Sequence, residues 1–221
     1  MIVALIGQKG GSGKTTTAVC LAAHAADSGR RTLLVDADPQ SSARTWGEIA
    51  AQDQAPAPTV IAMGAEMHRP GQLARLAENY DDVFIDCPPR HDEVQRAALM
   101  VADLVVLPCG PTAVDVWALS ASIELVERAR QLRPDLNAAV LITRKVSRSV
   151  LGRSARQALG DCGLDVLHTE LGFRMAYQEA VAAGRGVTRY TPRSAAAREI
   201  KALTAELYRR TQQQEKTDAA A

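Results

Sequence analysis

A single α/β domain, a mostly parallel sheet flanked by helices, is predicted by three observations. The chain has 221 residues, an ordinary length for one domain. Hydrophobic residues make up 47% of it and charged residues 23%, which supplies a core and excludes a mainly disordered chain. Short apolar runs alternate with longer helical patterns, the order expected when helices form the crossovers of a parallel sheet.

The runs IVALIG (2–7), TLLVD (32–36), TVIAM (59–63), DVFID (82–86), DLVVLP (103–108), AAVLIT (138–143) and DVLHT (165–169) read as strands. Several are apolar without alternation, as strands covered on both faces are. Helices are expected near 14–28, 42–52, 68–79, 92–101, 115–132, 149–161, 174–183 and 192–213. The linker-like AQDQAPAP (51–58) is too short to divide domains, so one domain over residues 1–213 is expected, followed by a polar, disordered tail at 214–221. Trp46, Trp117 and Phe173 are read as core or helix-packing residues.

Some classes are excluded at once. No stretch approaches the roughly 18 apolar residues of a membrane-spanning helix. The start, MIVALIGQKGG, has neither a basic region nor a cleavage site, so no signal peptide and a cytoplasmic location are expected. Cys20, Cys87, Cys109 and Cys162 form no CxxC pair, which argues against a zinc cage or redox motif. The net charge of +1 hides an asymmetry, because residues 141–210 carry 13 Lys/Arg against 6 Asp/Glu. Such a basic part suits a polyanion-binding face, although arginines that merely solvate helix surfaces give the same count.

The chemistry concentrates in Lys9, Gly10, Gly11, Ser12, Gly13, Lys14, Thr15 and Thr16, between the first strand and the first helix. Glycines let successive N–H groups point at phosphate oxygens, and the helix N-terminus adds its positive dipole end. Lys14 would reach the terminal phosphates, and the Thr15 hydroxyl would ligate Mg²⁺. Gln8 stands where the strict pattern has its first glycine. Asp36 and Asp38 end the second strand and Asp86 the fourth, so a parallel sheet brings all three carboxylates to the loop's edge. Asp86 would hold Mg²⁺ and Asp36 support its shell, while Asp38 would orient an attacking water. Each aspartate taken singly could equally cap a strand end. Lys9 is left over, since the loop already has its lysine. It is either a solvated side chain or a cation acting on a nucleotide in another subunit.

KGGSGKTT with its extra lysine, VDADPQ and FIDCPP together resemble the signatures of the deviant Walker A ATPases. The DPQ triplet and the chain length resemble the ParA-type partition ATPases of the ParA/MinD superfamily, in their short form without an N-terminal helix-turn-helix domain. PCGP (108–111) followed by Asp115, and LITRK (141–145), add weaker likenesses. The resemblance implies an ATP- and Mg²⁺-dependent ATPase in which Lys9 contacts the partner's nucleotide in a sandwich homodimer. It places Pro111 and Asp115 among the nucleotide and dimer contacts, and Thr143 and Arg144 near the adenine. It also implies that the ATP-bound dimer binds DNA without sequence preference, associates with the nucleoid, and is stimulated by a ParB-type or other cargo adaptor. Arg174, Arg189, Arg193, Arg198 and Lys201 are the expected phosphate contacts on DNA. No membrane anchor is expected, because the chain end is poor in apolar residues after Tyr208. Segregation of a plasmid or chromosome is the first reading. Positioning of a protein cargo such as a microcompartment is the alternative, and a metabolic phosphate-loop enzyme stands third.

Overall fold

The computed structural model describes residues 1–53, 55–147, 149, 155–160 and 162–218. Seven strands form one sheet: β1 (Ile2–Leu5), β2 (Thr32–Asp36), β3 (Thr59–Ala62), β4 (Asp82–Asp86), β5 (Leu104–Cys109), β6 (Asn137–Ile142) and β7 (Asp165–Val166). Their order is β3-β2-β4-β1-β5-β6-β7, and every pairing is parallel. All C-terminal strand ends therefore share one edge, and the chain reverses direction beside β1, where open parallel sheets bind ligands.

Side-chain alternation splits the apolar strands between two cores. Val3 and Leu5 of β1 face α1 (Lys14–Asp27) and the last helix, α8 (Ala195–Asp218), packing with Val19, Leu203 and Leu207. Ala4 points the other way, toward α4 (Asp92–Val101) and α5 (Ala113–Arg130), with Leu99 and Leu125. Both faces are covered, which is why the strands read as continuous apolar runs. Cys87 and Cys109 are buried and pack as small hydrophobes.

Several expectations need adjustment. The helix expected over 68–79 is a 3₁₀ turn (Ala65–His68) and a short α3 (Leu73–Ala77), because Pro70-Gly71 interrupts it with Gly71 at φ 77°. α5 starts two residues early, since Thr112 and Asp115 close a reciprocal capping box. Of the helix expected over 149–161, residues 155–158 are helical and 150–154 lie outside the described residues. After α6 (Met175–Ala182) a separate turn of helix, α7 (Val187–Tyr190), precedes α8, whose helical backbone runs on to Asp218. Trp46 is core, but Trp117 and Phe173 are 71% and 56% exposed, so neither is a packing residue.

Gly184 ends the turn after α6 at φ 66°, and a Cβ there would stand 2.8 Å from the Ala50 backbone nitrogen of α2 (Ser42–Ala50). Gly184→Ala therefore combines left-handed strain with a backbone collision. A loss of about 2 kcal/mol is expected, lowering Tm by roughly 4–8 °C in a chain of this size. An unchanged thermal melt would contradict this packing.

Candidate active site

The loop between β1 and α1 turns through Gly11 and Gly13, at φ 71° and 95°. Gly13 is the N-cap of α1 and brings no side-chain capping bond, so the helix presents its first N–H groups to whatever lies before it. The buried Thr143 hydroxyl, just past β6, donates to the Ser12 carbonyl at 2.8 Å and pins the loop from the side. Lys14 folds back, its Nζ donating to the Lys9 carbonyl at 3.0 Å. Burial lowers the Lys14 pKa, against the pull of Asp86 and Asp38. A cleft of about 330 Å³ opens above these groups. One wall is residues 10–17 with Asp38 and Pro89, and the other is Thr143, Arg144, residues 171–174, Tyr177 and Gln178.

Asp86 is completely buried at the end of β4, and neither carboxylate oxygen has a well-formed hydrogen bond among the described residues. Burial pushes its pKa up to about 7, against the Thr15 hydroxyl and Lys14. An uncompensated carboxylate beside a threonine hydroxyl is the donor set a divalent cation satisfies. Among the described residues no three His, Cys, Asp or Glu side chains cluster as a cage. This fits Mg²⁺, which keeps waters and binds through one or two protein ligands together with phosphates.

Asp36 is arranged differently. Its two oxygens accept the Asp38 and Arg44 backbone N–H groups at 3.1 and 2.7 Å. It thereby shapes the loop that carries Asp38. Asp38 lines the cleft, with Oδ1 fixed by the Gln40 N–H at 2.9 Å. Among the described residues, the three non-glycine residues at positive φ, Ser41, Arg90 and Arg144, all lie in loops on this edge. Backbone strain of this kind concentrates at functional sites.

Lys9 does not line the cleft. Its Nζ pairs with Asp115 Oδ1 at 2.7 Å, and Arg144 shares that oxygen at 2.9 Å. Burial alone would raise the Asp115 pKa, yet the Lys9 and Thr112 hydrogen bonds and the Arg144 charge hold it at about 2. Gly110 leaves room for this pair, since a Cβ there would overlap both Asp115 and Arg144. Pro111 and Asp115 stand behind the loop, outside the cleft lining, while Thr143 and Arg144 line it.

The expected DNA contacts divide. Arg174 is a cleft wall residue paired with Glu199, and Arg189 is paired with Asp27. Each has its charge engaged by a carboxylate within the fold. Arg193, Arg198 and Lys201 are exposed near or on α8, although the Arg198 guanidinium also donates to the Arg193 carbonyl. Arg209 joins Arg198 on the same outer stripe. Sequence reasoning missed it, together with the wall at 171–178. Only the i, i+11 spacing could have indicated the first, and no motif marks the second.

The family model for the CobQ/CobB/MinD/ParA nucleotide binding domain matches residues 3–210. The chain belongs to that family. It is a single-domain P-loop ATPase of the ParA/MinD group. It is 34% identical to maintenance of carboxysome distribution protein A of Halothiobacillus neapolitanus, over 84% of this chain and 85% of that protein. It is also 29% identical to the chromosome-partitioning ATPase Soj of Thermus thermophilus, over 96% of each. Among solved structures, the ATP complex of a Cyanothece McdA variant superposes with a TM-score of 0.77 at 18% identity, covering 93% of this chain and 95% of that one.

A raised carboxyl pKa favours the folded state most below the unfolded value of 3.8, and that contribution is lost as pH rises through about 7. Asp86→Asn should therefore stabilise the nucleotide-free protein by about 1–4 kcal/mol at pH 8 and by little at pH 4. The same variant should lose Mg²⁺-dependent ATP turnover. Urea unfolding at the two pH values checks this, and equal effects at both would remove the buried-charge explanation.

Proposed function

We propose that this ATPase positions a protein cargo over DNA by an ATP-switched cycle of self-association. The observation that carries the reading is Lys9. The phosphate loop already supplies Lys14 to its own cleft, and Lys9 is held beside the cleft on Asp115, 37% exposed. Its natural target is the phosphates of a nucleotide in a second copy laid face to face. Support comes from exposed apolar side chains, since Val114, Trp117, Val146, Phe173 and Met175 are each more than half exposed and Phe173 lines the cleft. Exposed apolar surface of this kind suits burial against another chain.

Within one copy, Lys14 and the bare N-terminus of α1 hold the β- and γ-phosphates. Thr15 and Asp86 would hold Mg²⁺, whose charge would supply electrostatic stabilisation for phosphoryl transfer. Asp38 accepts a hydrogen bond from the attacking water and sets it in line. Lys9 of the second copy completes the charge balance, so hydrolysis is slow in a lone copy. Arg193, Arg198, Lys201 and Arg209 offer phosphate contacts to DNA of any sequence, and an adaptor on the cargo stimulates hydrolysis and release.

A protein cargo of the carboxysome type comes before a replicon because of the similarity to a carboxysome distribution protein, which reverses the order of readings the sequence suggested. The similarity to Soj keeps chromosome partition as the second reading. Nucleoid association follows from either. A metabolic enzyme would need an acceptor substrate, and ATP turnover measured without one would argue against it.

DNA binding by the Asp38→Ala protein with ATP should be independent of sequence. If two copies neutralise about eight phosphates, log affinity should fall against log salt with a slope near −7. Arg209→Glu should weaken binding to all sequences alike. Co-sedimentation across a salt series checks this, and sequence-selective, salt-insensitive binding would overturn the DNA reading. ATP turnover stimulated by a carboxysome-shell adaptor rather than a centromere-binding one would decide the cargo.

A further inference from the structure

Between β7 and α6 the chain presents one side to the cleft, through Leu171, Gly172, Phe173 and Arg174. Its other side is gripped by two carboxylates of α8. Glu206 accepts the His168 and Thr169 backbone N–H groups at 2.7 and 2.8 Å. Glu199, two turns earlier on the same helix face, accepts the Gly172 N–H at 3.1 Å and the buried Tyr177 hydroxyl at 2.9 Å. Its other oxygen takes Arg174 through Nε and Nη2 at 2.9 and 2.6 Å, a charge-assisted pair on one acceptor. A Cβ at Gly172 would come within 2.9 Å of the Arg174 side chain, so the segment lies tight against this node.

Beyond the same two carboxylates α8 turns outward. Arg198, Ala202, Ala205 and Arg209 line a shallow groove with His168 and Thr169. Because Glu199 and Glu206 are engaged by the wall, their charges are already partnered where they border the arginines. We propose that Glu199, assisted by Glu206, is a positioning clamp that ties the nucleotide cleft wall to the last helix, so that nucleotide in the cleft sets the placement of the Arg198–Arg209 stripe. Arg174 is the moving part. A nucleotide triphosphate brings a second anion beside its guanidinium, and the balance between that anion and Glu199 is a differential interaction able to bias two wall positions. The clamp rests on the reading of the cleft as the nucleotide site. Its consequence for DNA rests on the preceding proposal.

Hydrogen exchange with and without a non-hydrolysable ATP analogue and Mg²⁺ tests the clamp without any use of DNA. In the native chain the analogue should slow exchange both at 168–174 and along the part of α8 around 199–206. Glu199→Ala should keep the first effect and lose most of the second. Glu199→Gln, which preserves shape and removes the charge on Arg174, should lose it in part and serves if the alanine variant does not fold. Undiminished α8 protection in the variants overturns the clamp, as does native α8 exchange indifferent to the analogue. In DNA binding, the ATP-over-ADP preference should collapse toward one from a coupling of roughly 5- to 150-fold. Arg198→Ala should instead weaken binding in both states and leave that ratio unchanged. A native chain that ignores DNA removes the DNA reading while the exchange result still decides the clamp.

Discussion

A buried carboxylate whose burial outweighs its partners is the constraint around which this molecule is organised. Asp86 closes a central strand, wholly out of solvent, with the Thr15 hydroxyl and Lys14 beside it but no well-formed hydrogen bond to either oxygen among the described residues. An ionised carboxylate in such a place is costly unless a cation meets it. Lys14 is drawn toward it, but spends its own hydrogen bond on the Lys9 carbonyl. On the proposed reading, an incoming Mg²⁺ with its phosphates would meet that carboxylate and relieve this cost. The seven parallel strands matter because they carry Asp36, Asp86 and the phosphate loop to one edge in register, Leu5 and Asp36 both standing opposite Asp86.

Two linkages run outward from that centre. One passes through Asp115, which takes Lys9 and Arg144 on one oxygen and caps α5 with the other, so the first turn of α5 beneath Val114 and Trp117 is coupled to the loop. The other passes through Glu199 to α8. Each uses one well-hydrogen-bonded carboxylate as the junction between the cleft and an exposed face. Positive φ at Ser41, Arg90 and Arg144 places strained backbone in three loops of the same edge. A site ringed by strained turns and ion-pair junctions is suited to two arrangements rather than one.

The sheet and the phosphate loop were legible in the sequence because their signals are local. Continuous apolar runs report burial on both faces, and glycines at fixed spacing report a backbone that must turn. The placement of Asp36, Asp38 and Asp86 at one edge was legible because strand ends in a parallel sheet share an edge. The hydrogen bonds of Asp36 to the next loop's N–H groups were not, because they depend on side-chain direction. Arg174 and Arg189 looked like surface cations for the same reason, their partners Glu199 and Asp27 being distant in sequence. Composition counts charges but does not pair them. Trp117 was assigned to the core on the general habit of aromatic residues, and its exposure carries information only once the cleft beside it is known.

Light scattering on the Asp38→Ala protein, with ATP and then with ADP, is the most direct test of the central claim that Lys9 serves a second copy. ATP alone should double the scattering mass, and adding Lys9→Ala to the same protein should return it to a single chain that still binds ATP. A protein that stays single with ATP, or that doubles equally well without Lys9, would contradict it.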